Sequence, residues 1–196
     1  LSCLVLLFTD IISKGHSAFL QTYVYLEVEF DAALLELDDT SDAKQLAQAN
    51  YDAVIRQALR AQFADAESRR ERRQLYSLVS NGAGFTLRRE LEADPALLNK
   101  AQGFWLLADD DVDTYYKSRG DDADSAFAGR LTDKQVVWLE SLITNEHMEK
   151  RFNTTFFTAG DSREPEQAGI MGALMGSLYT LLVTIILSVP IGIAAA

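Results

Sequence analysis

The chain has 196 residues, enough for one domain with a sizeable core, and its 29 acidic against 18 basic residues give a formal net charge of −11. An acid excess of this size repels phosphate backbones and sets nucleic acid aside as a partner. The charge is also segregated: every Asp, Glu, Lys and Arg lies between Asp10 and Glu166, and residues 167–196 carry none.

At the N-terminus, "LSCLVLLFT" places nine uncharged residues before Asp10. Nine residues make about 14 Å of helix, too little to cross a bilayer. Because the chain opens on Leu rather than Met, residues 1–15 are expected to be the outer end of a truncated first transmembrane helix. The core of a signal peptide is the rival, although no small-x-small cleavage site follows. Both accounts place the next segment on the far side of a membrane. The single cysteine, Cys3, sits in this run as a small lipid- or helix-facing residue, so no disulfide within the chain is possible.

Residues 16–166 are expected to fold outside the bilayer as a helix-rich α+β domain. "TYVYLEVEFD" alternates, with Val24, Leu26, Val28 and Phe30 on one face and Tyr25, Glu27 and Glu29 on the other, the pattern of a half-buried strand. "SDAKQLAQANYDAVIRQALRAQF" reads as one helix capped by Ser41 or Asp42, with Leu46, Val54, Ile55 and Leu59 near one side. "ESRRERRQLYSLVSNG" reads as a second helix, ended by Asn81 and Gly82. Its Arg69, Arg70, Arg72 and Arg73 interleave with Glu67 and Glu71, as on a solvated face. "FTLRRELEADPALLNK" is read as helix to Ala93, broken by Asp94 and Pro95. "FWLLADDDVD" passes from an apolar run into acid. "TDKQVVWLESLITNEHMEKRF" reads as a further helix with capping-box spacing at Thr132 and Gln135. "NTTFFTAGD" is expected to be a short strand or extended return to the membrane.

Residues 167–196 would make a helix of about 45 Å against a hydrocarbon core of about 30 Å, and are expected to form a second transmembrane helix. Gly172 and Gly176, with Ala173 and Ser177 beside them, allow close approach of another helix. Pro190 removes the hydrogen bond to the Ile186 carbonyl, and Gly192 follows it. A simple anchor has little need of such a kink site.

No enzymatic chemistry emerges from the motifs, and neither a cofactor nor a metal is expected. "DDDVD" at 109–113 resembles the start of a calcium loop, but loop positions six and twelve would be Thr114 and Gly120 where Gly and Glu are required. His16 and His147, the only histidines, have no metal-ligand spacing with another His or Cys. No nucleophile-elbow sequence surrounds a serine. "SNGAGF" at 80–85 lacks the phosphate-loop lysine and reads as a helix C-cap and turn. "NTT" at Asn153 matches the short glycosylation acceptor pattern.

The segment "GDSREPEQAGIMGALMGSLYTLLVTIILSVPIGIAAA" resembles the start of the permease core in the membrane subunit of bacterial phosphate ABC importers, the PstA type. "FLQTYVYLEVEFD", "NYDAVIRQALRAQF", "RRQLYSLVSNGAGFTLRRELEADPALL" and "RFNTTFFTAGDSREPE" are similar to the extra N-terminal extracytoplasmic domain that a subset of these permeases carries. The resemblance implies a non-enzymatic, multi-pass permease subunit of the bacterial inner membrane, with residues 16–166 in the periplasm. It further implies a sister permease, ATP-binding cassette subunits that hydrolyse ATP, a periplasmic phosphate-binding protein, and membrane lipid around the helices. As a fragment ending at Ala196 the chain is not expected to transport alone, and no phosphate-contacting residue carries over to any position. Arg163 stands where the chain re-enters the membrane, but Asp161, Glu164 and Glu166 around it favour a salt-bridged turn over an anion site. The alternative is a two-helix membrane sensor or chemoreceptor with an extracytoplasmic ligand-binding domain.

Overall fold

The computed structural model describes residues 19–37, 43–119, 130–162 and 167–195, with positions 7 and 9. Cys3 and the rest of the expected first membrane segment apart from Leu7 and Thr9, His16, the Ser41 or Asp42 cap, Gly120, and Arg163 with Glu164 and Glu166 lie outside those residues. The chain divides into two compact units, Leu1–Phe152 and Asn153–Ala196.

The first unit is α+β, built on a three-stranded antiparallel sheet whose middle strand is the first in sequence. The central strand β1 (Leu20–Glu29) follows the alternation of its sequence. Val24, Leu26, Val28 and the following Phe30 are fully buried, whereas Glu27 and Glu29 are exposed on the other face. Strand β2 (Ala101–Leu107) places Phe104 opposite Leu26 and Leu106 opposite Val24, so the core face continues across the pair. The Phe30 and Phe104 rings meet edge to face, centroids 5.5 Å apart.

Helices cover that face. The short α1 (Ala32–Leu35) leads to α2 (Ala43–Gln48), α3 (Tyr51–Gln62), α4 (Arg69–Tyr76) and α5 (Ala83–Ala93). Beyond β2 come α6 (Asp110–Ser118) and α7 (Asp133–Thr144), then β3 (Met148–Phe152). Val54, Ile55 and Leu59 of α3, Leu75 of α4, Leu87 and Leu91 of α5, Val112 of α6, and Leu139 and Leu142 of α7 share one continuous core with β1. Helix α5 ends at Ala93 as its Asp-Pro signal predicts, and a single 3-10 turn (Pro95–Leu97) follows.

The structure corrects five expectations. The helix expected from Ser41 to Phe63 is two helices. Asn50 leaves the helical region and its side chain accepts from the Ala53 amide at 3.2 Å, capping a new helix. The helix expected to run to Asn81 stops at Tyr76, because Val79 bridges Ala108 and the Ser80 amide donates to Leu107 O at 2.9 Å. "SNGAGF" is accordingly no C-cap; it turns the chain into α5, with Gly82 at that helix's N-cap.

The helix predicted from Thr132 has its capping box but ends at Thr144. Glu146 takes a left-handed φ of 58°, and the His147 amide donates to Leu142 O at 2.8 Å, closing the helix end. The residues that follow form β3. In the second unit "NTTFFT" is not extended: Asn153 accepts from the Phe156 amide at 2.8 Å and starts the single-turn helix α8 (Thr154–Thr158). Helix α9 (Met171–Ala195) completes that unit.

Candidate functional site

Strand β1 is ten residues long and β3 five, so the two edges of β1 are unequal. β3 pairs with β1 only from Leu20 to Val24. One further rung, the Tyr25 amide donating to His147 O at 2.8 Å, ends the ladder. The main-chain groups of alternate residues point to the same side of a strand. Those of Glu27 and Glu29 therefore face the side that β3 has vacated, and have no partner there among the described residues. A cavity of about 420 Å³ lies along this stretch, lined by Tyr25, Glu27, Glu29 and Ala101 of the sheet, by α3, and by His147. Helix α3 turns the small Ala58 and Ala61 towards it, between Gln57 and Gln62. Gln62 Nε2 lies 3.3 Å from His147 Nδ1, linking the wall to the end of β3.

The face of the sheet beside the cavity is aromatic and carries the cation Arg151. Tyr25 and Trp105, cross-strand neighbours, meet edge to face at 5.3 Å. Tyr25 also lies 5.1 Å from the His147 ring. The Arg151 guanidinium stands 5.2 Å from the centre of the Tyr23 ring and 5.1 Å from that of Trp105, and pairs with Glu149. Burial raises the Tyr23 phenol pKa, and Arg151 and Arg89 oppose that rise. Gly103 makes the arrangement possible. A Cβ there would run into the Tyr25 ring and hydroxyl, so any side chain displaces Tyr25 from its seat.

A second depression, about 470 Å³, lies between α2, the start of α3, and α5. Its lining is polar: Gln48, Asn50, Asp52, Asn81 and Arg88, with Tyr51 beneath. Arg88 is engaged with Glu92 at 2.7 Å, and Asn50 is occupied as a cap. Burial, then Glu92, raises the Tyr51 pKa, with Arg88 opposing.

The acidic run at 109–113 serves the fold. Asp109 caps α6 by accepting from the Asp111 amide at 3.2 Å. Asp113 accepts from the Thr22 amide at 2.9 Å and pairs with Lys117 at 2.6 Å, which clamps the start of β1. Asp111 meets Arg130 at 3.3 Å. Among the described residues no three His, Cys, Asp or Glu side chains stand together as a metal site. Arg69, Arg70, Arg72 and Arg73 are exposed on α4, as read from the sequence. The Ser80 hydroxyl accepts from the Gly82 amide at 3.0 Å, holding the turn before α5. Asn153 is 8 % exposed and its side chain is committed to capping α8. Of the described residues weighed for metal or catalytic chemistry in the sequence, only His147 falls at the cavity. The cavity itself was missed, since it arises from a difference in strand length that no local motif records.

In the second unit, α9 carries no Asp, Glu, Lys, Arg or His, and its described residues are exposed except for the half-buried Met175. Met171–Ala194 has a mean hydropathy of 2.1 and is the one helix among the described residues long and apolar enough to cross a membrane. The Thr180 and Thr184 hydroxyls donate to the Gly176 and Thr180 carbonyls at 2.9 and 2.8 Å, so these polar groups are satisfied within the helix. Nothing lies within 4 Å of a Cβ built on Gly176 or Gly192, and Pro190 stands inside the helix.

A protein-family model described as "Domain of unknown function (DUF3333)" matches residues 1–126. No curated protein and no solved structure matches the chain.

Proposed function

The chain belongs to the DUF3333 family, and we propose that its α+β domain is the extracytoplasmic part of a membrane-spanning permease subunit of an ABC importer for inorganic phosphate. The observation that carries the proposal is α9, an uncharged helix able to span a bilayer that carries Gly172, Gly176, Pro190 and Gly192. Small residues that admit a neighbouring helix, and a proline that frees a carbonyl, suit a helix packed within a bundle better than a lone anchor. Phosphate as substrate rests on the resemblance of residues 160–196 to the permease core. Sister permease and ATPase subunits, a phosphate-binding protein and an inner-membrane, periplasm-facing placement belong to the same proposal.

A net charge of −11 disfavours direct capture of a phosphate dianion and fits delivery by a separate binding protein. The test is affinity purification of the tagged native gene product from membranes, combined with uptake of radiolabelled phosphate by cells with and without the gene. Co-purification of an ATP-binding cassette subunit with loss of uptake on deletion is the expected result. Recovery of a signalling kinase, with uptake unchanged, would establish the sensor alternative instead.

A further inference from the structure

The vacated edge of β1 is the feature that the proposed function leaves unused. We infer that Glu27 and Glu29 form a docking edge for an extended, basic segment of another polypeptide, which adds as a strand beside β1 where β3 stops. This inference stands whether or not the chain is a transporter subunit.

Three observations converge on it. First, β1 continues in regular extended geometry from Tyr25 to Glu29, held on its other side by β2. Its outward main-chain groups are thus fixed in the spacing a new strand requires, at no further ordering cost to β1. Second, there is room. The cavity of about 420 Å³ runs along this edge, and Ala58 and Ala61 on α3 keep the opposite wall low. A paired strand sits about 4.8 Å away.

Third, the charge selects the occupant. Glu27 and Glu29 are exposed on the same face, and neither has an ion-pair partner among the described residues. A strand laid along the edge places alternate side chains beside these two carboxylates, where Lys or Arg is favoured and Asp or Glu repelled. The intervening side chains turn towards Ala58 and Ala61, which suits small apolar residues. A second copy pairing through the same edge would bring the glutamates of the two chains together, so the charges oppose self-association.

The test uses the full chain in zwitterionic detergent micelles and fluorescence anisotropy of labelled peptides. The probes are a peptide of alternating Lys and Val, its Glu and Val counterpart, and the Lys peptide N-methylated on alternate amides. The Lys peptide is expected to bind, and the other two at least tenfold more weakly. The Glu27→Lys, Glu29→Lys double variant is expected to lose at least tenfold in affinity with its thermal midpoint unchanged; Glu27→Gln, Glu29→Gln supplies a milder second variant. Equal binding of the N-methylated peptide would reduce the contact to charge attraction and overturn strand addition. Absence of Lys-peptide binding also overturns the inference. So does a dimer of the chain that this peptide competes away, which would make a second copy the occupant.

Discussion

Trp138 donates its indole N–H to both carboxylate oxygens of Asp65, at 3.1 and 3.0 Å, tying α7 to the turn after α3. Trp138 is almost wholly buried, so its N–H has no ready substitute for this acceptor. Asp65→Ala is expected to lower stability by about 1–2 kcal/mol, the cost of leaving a buried donor unmade. Asp65→Asn keeps an acceptor oxygen and should recover most of the loss. Urea unfolding of the full chain in micelles, followed by tryptophan fluorescence, measures both. An Asp65→Ala midpoint equal to that of the parent would show that water replaces the carboxylate.

Next to this contact, Glu71 accepts from Lys134 Nζ at 2.6 Å and from the Ser68 amide at 2.9 Å, completing the α4 capping box. The Lys134 hydrogen bond, and then those of Ser68, hold the Glu71 carboxyl at about 2 rather than its ordinary 4.5. A depressed carboxyl pKa means that the unfolded chain takes up the proton first. The stabilisation is therefore complete above about pH 4.5 and is lost as pH falls from there through about 2. Glu71→Gln should flatten the fall in unfolding midpoint over that window, with little change in its slope near neutrality. Lys134, raised chiefly by the same bond, acts on the alkaline limb: its contribution is present below the ordinary lysine value and is lost as pH rises through the folded one. Parallel acid limbs for parent and Glu71→Gln would contradict this account.

Thr22 is fully buried on the core side of β1, and its hydroxyl has no hydrogen-bond partner among the described residues. Its amide, by contrast, donates to Asp113 at 2.9 Å. Thr22→Val keeps the shape, the β-branching and the amide while removing the stranded hydroxyl. The variant should be more stable by about 1 kcal/mol, read from the same urea titration. A destabilised Thr22→Val would mean that the hydroxyl is satisfied in solution.

What the sequence revealed depended on whether the deciding residues were local. β1 was legible because Val24, Leu26, Val28 and Phe30 alternate with polar residues, and the end of α5 because Asp94-Pro95 breaks a helix. The breaks at Asn50, after Tyr76 and at Asn145 were hidden, since apolar spacing runs on through each of them. Asn50 reads as one more polar helical position until its side chain caps α3. Leu78 and Val79 continue the apolar spacing of a helix, but the sheet edge at Leu107 and Ala108 captures them. β3 gave no signal because, in "MEKRF", only Met148 is buried. The same shortness of β3 creates the open edge at Glu27 and Glu29, so that site depends on tertiary pairing which no window of the sequence contains.

Gly169 fixes the approach to α9. Its amide donates to Gly160 O at 2.8 Å, and the next two amides, Ile170 and Met171, reach Phe156 O and Ala159 O at 2.8 and 3.2 Å. A Cβ on Gly169 would collide with the carbonyl oxygens of Ala159 and Thr155, which are backbone and have little freedom to yield. Gly169→Ala should open this hook at a cost of about 1–3 kcal/mol, in the range of overpacked sites. Hydrogen exchange of the three amides should quicken while that of Val24 and Leu26 in β1 stays unchanged. Unaltered protection at residues 169–171 would mean that the hook tolerates a methyl group.

An arginine at the centre of α9 would reveal whether that helix lies in lipid. Val183 stands near the middle of Met171–Ala194, and its side chain is exposed. If the helix spans a bilayer, Val183→Arg puts a cation at the level of the hydrocarbon centre, at a cost of about 2.5–3.5 kcal/mol. Val137, exposed on α7 of the first unit, provides the control, because an arginine there meets water. Membranes from cells expressing each variant are extracted with alkaline carbonate. The parent and Val137→Arg chains should stay in the pellet, while much of the Val183→Arg chain moves to the supernatant. Release of all three would mean that α9 does not hold the chain in the membrane. Retention of all three, with residues 183 and 137 equally reactive to a water-borne thiol probe once each is changed to Cys, would mean that α9 is held against protein or lies along the surface rather than across it.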